Sequence, residues 1–338
     1  MAVRPGPRNL ITDVDGILVG NAQDQTVRSG VTVVLPDRPA VAAVDVRGGA
    51  PGTRETDALN PTCLVEQVDA VVLTGGSAFG LDAAAGAMGW LAARGRGFPV
   101  GDRRVPIVPA AVLFDLLNGG DKEWGETPPY RALAAAACDA AGPAFALGNA
   151  GAGLGAKAGD IKGGLGSASA VMPDGLQVGA LIAVNPVGSA VMPGRDTLWA
   201  WAWEQDGEMG GQTPPAGPVP LDPVLPFLDA AVPGANTTIG VVATNAVLTK
   251  AEALRLATMA HDGMGRAIRP AHTPFDGDTL FGLATGTQAL PDGPARAVAL
   301  ARLGALAADC VARAIGRGVY EAESLGPWPS YRARYRAG

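Results

Sequence analysis

The chain is poor in aromatic residues, poor in charge and nearly empty of histidine and cysteine. Phe, Trp and Tyr together make up 5% of its 338 residues, so the interior cannot rest on aromatic packing. A hydrophobic fraction of 48% and 48 glycines instead predict closely packed layers of Ala, Gly and Val around a substantial core. With 17% charged residues, a net charge of −6 and no long Lys/Arg run, nucleic acid and anionic membrane surfaces are excluded as expected partners. Cys63, Cys138 and Cys310 are far apart and form no CxxC pair, which predicts reduced thiols in a cytoplasmic protein rather than a disulfide framework. Two histidines, His261 and His272, are too few for a His-rich zinc site, and neither metal nor cofactor is called for. No apolar run approaches the ~18–20 residues of a membrane span, and the N-terminus lacks the apolar stretch of an export signal.

What is present is a series of short strands broken by glycine. β-Branched runs at 31–36 and 41–46 are bounded by Pro and Gly and predict sheet strands. A strand at 70–74 passes through Gly75-Gly76-Ser77 into an Ala-rich helix at about 80–94. Free N–H groups converge at such a turn, so Gly75, Gly76 and Ser77 are candidates for binding substrate; the alternative is a tight turn that only packs helix on sheet. Neither a P-loop nor GxGxxG fits there. A buried strand is predicted within 105–117 and an Ala-rich helix at 131–142. The glycine-rich stretch 148–166, which carries Lys157 and Lys162, reads as a substrate-lining loop. A strand at 178–184 is stopped by Pro186 and leaves Asn185 projecting from its end. The run 197–203 places three tryptophans at period two, as on a sheet face or a subunit contact. A Pro/Gly-rich linker follows at about 204–235. Thr249 and Glu252 form a capping box for a helix reaching about 266, and the last helix opens at Pro294 and ends near Gly316.

The chemistry concentrates after the linker. Thr237 lies where a loose loop becomes a β-branched strand. A threonine hydroxyl is a poor nucleophile without an adjacent base, but an N-terminal threonine carries its own in the α-amine. Such an amine has an unperturbed pKa of about 7.7–8 and is partly neutral near pH 7. Cleavage between Asn236 and Thr237 would create it. The plainer alternative is that Thr237 and Thr238 only open the strand. Further on, Asp276 and Asp278 are spaced i, i+2 and can point into one site from one face of a strand. A calcium loop does not fit, because Leu280 and Gly282 stand where oxygen donors are required.

The ordered set Thr12-Asp13-Val14-Asp15-Gly16, Val46-Arg47-Gly48-Gly49-Ala50-Pro51-Gly52-Thr53, Leu73-Thr74-Gly75-Gly76-Ser77, Asn185-Pro186-Val187-Gly188, Asn236-Thr237-Thr238 and His272-Thr273-x-x-Asp276-Gly277-Asp278-Thr279 resembles the L-aminopeptidase/D-esterase family of N-terminal-nucleophile hydrolases. That family includes β-aminopeptidases and nylon-oligomer hydrolases, and Asn-Thr-Thr is closest to the latter. The resemblance implies an α/β fold: a single four-layer αββα sandwich spanning 1–338 that cuts itself into an α chain (1–236) and a β chain (237–338). The fragments would stay together, in a homo-oligomer. It further implies Thr237 as nucleophile, Asp276 and Asp278 orienting the nucleophile and its amine, and Asn185 helping to bind the oxyanion. One position departs from the pattern: Asp160 stands where the nylon-oligomer branch has a catalytic lysine, so Lys162, or else Lys157, is expected to supply the charge. The implied substrates are short peptides or oligoamides, with D-amino-acid amides and β-peptides as alternatives. A non-catalytic small-ligand binder and an acyltransferase using the same threonine are the rival readings.

Overall fold

The computed structural model describes residues 2–220 and 236–336. The main strands are β1 (Ile17–Asp24), β2 (Ser29–Pro36), β3 (Ala40–Val46), β4 (Val71–Thr74), β5 (Ala110–Val112), β6 (Gly164–Val171), β7 (Gln177–Val184), β8 (Ile239–Ala246) and β9 (Thr279–Gln288). One sheet runs β1-β2-β4-β5 and ends on the short edge Thr53–Arg54. The other runs β6-β7-β8-β9-β3 and ends on Gln67–Val68. Helices α1 (Ala83–Ala92) and α2 (Tyr130–Asp139) cover the first sheet. Helices α3 (Lys250–Ala260), α4 (Asp262–Ala267) and α5 (Pro294–Glu321) cover the second.

The apolar pattern explains the layering. Along β2, Val31, Val33 and Leu35 face α1 and α2 while Val34 faces the other sheet, the period of two that strands impose. Along β8, Ile239, Val241 and Ala243 face the first sheet, whereas Val242 and Ala246 face α3 and α5. Both faces of each sheet are therefore covered, which is why the strands read as continuous apolar runs rather than alternating ones. The fold is the four-layer αββα sandwich. Small residues set its spacing: a Cβ on Gly20 would lie 1.8 Å from the Ala137 carbonyl oxygen, and one on Gly166 would lie 1.8 Å from that of Ala314. Helices α2 and α5 thus rest almost directly on strand backbone, as the scarcity of aromatics and wealth of glycine implied.

Several expected elements differ. The three-tryptophan run is a 3-10 helix, Trp199–Trp203, not a strand, and the Arg269 guanidinium lies 5.6 Å from the Trp199 ring. The expected 105–117 strand shrinks to β5, three residues long. The Thr249 capping box forms as expected, but its helix breaks at His261 into α3 and α4. Helix α5 continues past Gly316 to Glu321 because that glycine serves packing: a Cβ there would lie 2.1 Å from Met209 Sδ. Of the expected linker, 221–235 lies outside the described residues. Its first part is tied down: Glu204 accepts the N–H groups of Met209 (2.7 Å) and Gly211 (3.0 Å), and Glu208 pairs with Arg313 of α5 at 2.6 Å.

Candidate active site

Strand register builds the site. β8 pairs with β9 in parallel, Ile239 opposite Thr279, so the residues just before each strand fall side by side. Asn236 bridges to Asp276 in the same sense. β8 also pairs antiparallel with β7, Ile239 opposite Ala183, which puts Asn185 across from Thr237. One end of the sheet thus gathers the end of β7 and the beginnings of β8 and β9. Thr237, Asp276, Asp278 and Asn185, four residues proposed from sequence, are brought together there, all buried.

The contacts are specific. The Thr237 N–H donates to the Asn185 carbonyl at 2.7 Å. The Thr237 hydroxyl hydrogen-bonds the Asn236 carbonyl oxygen of the junction itself. That same oxygen accepts the Gly277 N–H at 3.1 Å. Asp278 receives the Thr238 N–H on Oδ1 (2.8 Å), and the His272 N–H and ring Nδ1 on Oδ2 (2.9 Å each). Asp276 receives the Val187 N–H on Oδ1 (3.0 Å), and the Thr273 N–H (3.0 Å) and hydroxyl (2.5 Å) on Oδ2. Burial, reinforced by the neighbouring Asp278 charge, raises the Asp276 carboxyl above its usual range despite these donors. The pair is therefore held by N–H and O–H donors on every oxygen.

The glycine loop after β3 seals this corner. Arg47 and Gly48 donate to the Asp278 carbonyl (3.0 and 3.2 Å), and Ala50 donates to that of Asp276 (2.8 Å). Gly48 is required by space, since a Cβ there would lie 2.3 Å from the Asp276 carbonyl oxygen. Gly277 is equally constrained: its Cβ would lie 2.7 Å from Thr237 Oγ. Sequence reasoning assigned no role to Gly48, Gly277, His272 or Thr273. The signal available for them was their place in the ordered motif strings, not any property of the residues alone.

Asn185 is engaged by more than Thr237. Its side-chain carbonyl accepts the Lys157 N–H (2.9 Å) and its amide donates to the Phe114 carbonyl (3.2 Å). Lys162 is wholly buried, with Nζ donating to the carbonyls of Gly153 (2.9 Å) and Gly163 (2.7 Å). Burial pushes its ammonium down to about 7, opposed only by the Asp115 charge. Its electrostatic partner is therefore Asp115 and not the Asp276–Asp278 pair. Asp160, at the departing position, turns outward and pairs with Arg334 at 2.5 Å.

The turn Gly75-Gly76-Ser77 needs a correction. Gly75 donates to the Gly30 carbonyl (3.0 Å), Gly76 to Asp115 Oδ1 (2.8 Å) and Ser77 to the Leu113 carbonyl (2.9 Å). All three N–H groups already have protein acceptors, so the convergence of free donors on which the substrate-binding expectation rested is absent. The turn packs: a Cβ on Gly76 would lie 2.1 Å from the Tyr130 ring.

With this geometry in place, comparison with known proteins is informative. The model of Peptidase family S58 matches residues 9–328. An "uncharacterized aminopeptidase" of Mycobacterium tuberculosis is 47% identical over 340 residues, covering 96% of this chain and 97% of the relative. A 6-aminohexanoate-oligomer endohydrolase of Agromyces sp. is 31% identical over 299 residues, covering 86% and 78%. Among solved structures, the L-aminopeptidase D-Ala-esterase/amidase of Ochrobactrum anthropi, described as a variant of the Ntn hydrolase fold, superposes with a TM-score of 0.70 at 24% identity over 95% of this chain and 88% of its own. A Burkholderia β-aminopeptidase gives 0.67 at 24% identity, over 95% and 89%. These two show the shared fold. Among the described residues no helix is long and apolar enough to cross a membrane.

Proposed function

We propose that this chain, which belongs to peptidase family S58 and is an amide-bond hydrolase, matures by cutting itself between Asn236 and Thr237 and then uses Thr237 as an N-terminal nucleophile on short peptides or oligoamides. The supporting observation is the shared start of β8 and β9, which sets Thr237 beside Asp276 and Asp278 and against Asn185.

The first reaction is intramolecular. Thr237 Oγ adds to the Asn236 carbonyl carbon; the C–N bond breaks, the nitrogen takes up a proton and an ester remains. Water then hydrolyses that ester, releasing the Asn236 carboxylate and regenerating the Thr237 hydroxyl beside the amine freed in the first step. The developing oxyanion is the Asn236 carbonyl oxygen, which already accepts the Gly277 N–H. One such preorganised donor contributes about 2.7–4 kcal/mol to an acyl-transfer transition state. In turnover the same hydroxyl attacks the substrate amide, and the new α-amine, next to the Asn185 carbonyl, accepts the hydroxyl proton and returns it to the leaving amine. An acyl-enzyme ester on Thr237 forms and water releases it. The fragments would stay together, because β8 is hydrogen-bonded on one side to β7 of the α chain and buried on both faces.

Two relatives support this substrate class, one named an uncharacterized aminopeptidase and the other a 6-aminohexanoate-oligomer endohydrolase. Turnover of an L-alanine 4-nitroanilide and a linear 6-aminohexanoate oligomer separates the two preferences. Thr237→Ala is expected to abolish turnover of both, on the order of 10³-fold or more. A variant with undiminished turnover rules the mechanism out.

A further inference from the structure

The segment between α4 and β9 contains a clamp that the reaction scheme above does not use. Two consecutive residues each bring a backbone N–H and a side-chain donor to one carboxylate oxygen. His272 places its N–H and ring Nδ1 on Asp278 Oδ2, both at 2.9 Å. Thr273 places its N–H and hydroxyl on Asp276 Oδ2. His272 reaches this position with φ +58, the left-handed region that a non-glycine residue adopts at some cost. That strained backbone is held by contacts to the Asp278 carboxylate, whose other oxygen takes the Thr238 N–H.

The His272 ring is fixed on its other side too. The buried His261 ring packs edge-on against it at 5.0 Å, and His261 Nε2 lies 2.9 Å from the Asp45 carbonyl. Burial pushes the His261 ring below its usual range, so at neutral pH it is an uncharged wall. A carboxylate oxygen accepts, so the 2.9 Å contact is made by the tautomer with the proton on His272 Nδ1. With Oδ2 occupied by two donors from His272, the Asp278 carboxylate cannot rotate, and Oδ1 stays on the Thr238 N–H at 2.8 Å, one residue from the nucleophile.

We propose that His272 is a positioning residue of the hydrolytic site, whose Nδ1–H locks the Asp278 carboxylate so that the carboxylate, through the Thr238 N–H, fixes the backbone that carries the Thr237 amine and hydroxyl. The inference rests on Thr237 being the nucleophile. Hydrogen-bond partners that orient metal ligands are worth about 10–100-fold when removed, and a partner that orients a carboxylate in the same way is expected to fall in that range.

Two substitutions separate the donor from the backbone. His272→Gly relaxes the left-handed φ and removes the ring donor. His272→Asn tolerates that φ and offers an amide N–H near the place of Nδ1. The processed enzymes are assayed with L-alanine 4-nitroanilide and with a linear 6-aminohexanoate oligomer, beside wild type and Thr237→Ala. The expected result is a kcat for H272G lower by about 10–100-fold with KM within about 2-fold, and recovery in H272N to within about 5-fold of wild type. Wild-type kcat in H272G, or an H272N as slow as H272G, overturns the proposal. If T237A is inactive while H272G is unimpaired, the positioning role alone falls; an active T237A removes the nucleophile on which it rests.

Discussion

Two corners of the sandwich look alike in sequence and differ in what they leave available. At the end of β4 in the first sheet, a glycine turn wraps the buried Asp115, which takes the Ser29 hydroxyl at 2.6 Å and the Gly76 N–H at 2.8 Å. At the start of β8 and β9 in the second sheet, a loop wraps the buried Asp276 and Asp278. In the first corner the N–H groups of Gly75, Gly76 and Ser77 all end on protein acceptors, and the carboxylate lies in the field of Lys122 and Lys162. In the second, Asp278 takes the Thr238 N–H, next to a threonine whose hydroxyl has no partner beyond its own junction carbonyl among the described contacts. A buried carboxylate in a glycine-rich turn is therefore not in itself a sign of catalysis. What distinguishes the second corner is where its hydroxyl goes: the Ser29 hydroxyl is spent on Asp115 itself, whereas the Thr237 hydroxyl lies on the Asn236 carbonyl of its own junction.

This contrast predicts graded consequences. The largest belongs to Asp278→Asn. An asparagine keeps only one oxygen, so either the Thr238 N–H or the His272 pair would face an amide N–H instead of an acceptor. Hydrolysis is expected to fall by about 10–100-fold, and processing at Asn236–Thr237 to slow with it, as read by steady-state kinetics and gel analysis.

A pH effect of intermediate size belongs to the first corner. Burial lowers the folded-state pKa of Lys162 from the ordinary 10.5 to about 7, so between those values the unfolded chain binds more protons. Stability from this group is therefore lowest below about 7 and rises as pH climbs toward 10.5. In Lys162→Met that rise should be missing, which denaturant unfolding at the two ends of the window can measure. An identical slope in both proteins would place the lysine in a more polar setting than the carbonyls of Gly153 and Gly163.

The smallest effect is expected from Ser77→Ala, which touches neither the satisfied N–H groups nor the reactive corner. Its kcat/KM should stay within about 2-fold of wild type. A loss of about 10-fold or more would return Ser77 to the substrate site and erase the contrast between the corners.

How much of this could be read beforehand follows the same division. That Thr237, Asp276, Asp278 and Asn185 meet at one end of a sheet was legible because an ordered series of short motifs spans the chain, and because a strand stopped by Pro186 leaves Asn185 at its tip. The Thr249–Glu252 cap was recoverable because its hydrogen bonds are local. The filling of the Gly75-Gly76-Ser77 donors was not, since the acceptors come from residues 30, 113 and 115. The same applies to Lys162, whose position near Asp115 depends on how the two sheets face one another. His272 escaped notice because its role depends on backbone conformation, and nothing in the local sequence specifies a left-handed histidine. The tryptophan run misled because period two is a weak signal over five residues, and the 3-10 helix it forms is held by tertiary contacts.

The central claim is the scission that turns Thr237 into an N-terminus, and the intact mass of the purified protein tests it most directly. The account predicts two species, one beginning at Thr237 and ending at Gly338, whose masses sum to that of the precursor plus one water. A single species at the full 33.9 kDa that nevertheless hydrolyses amides would contradict it.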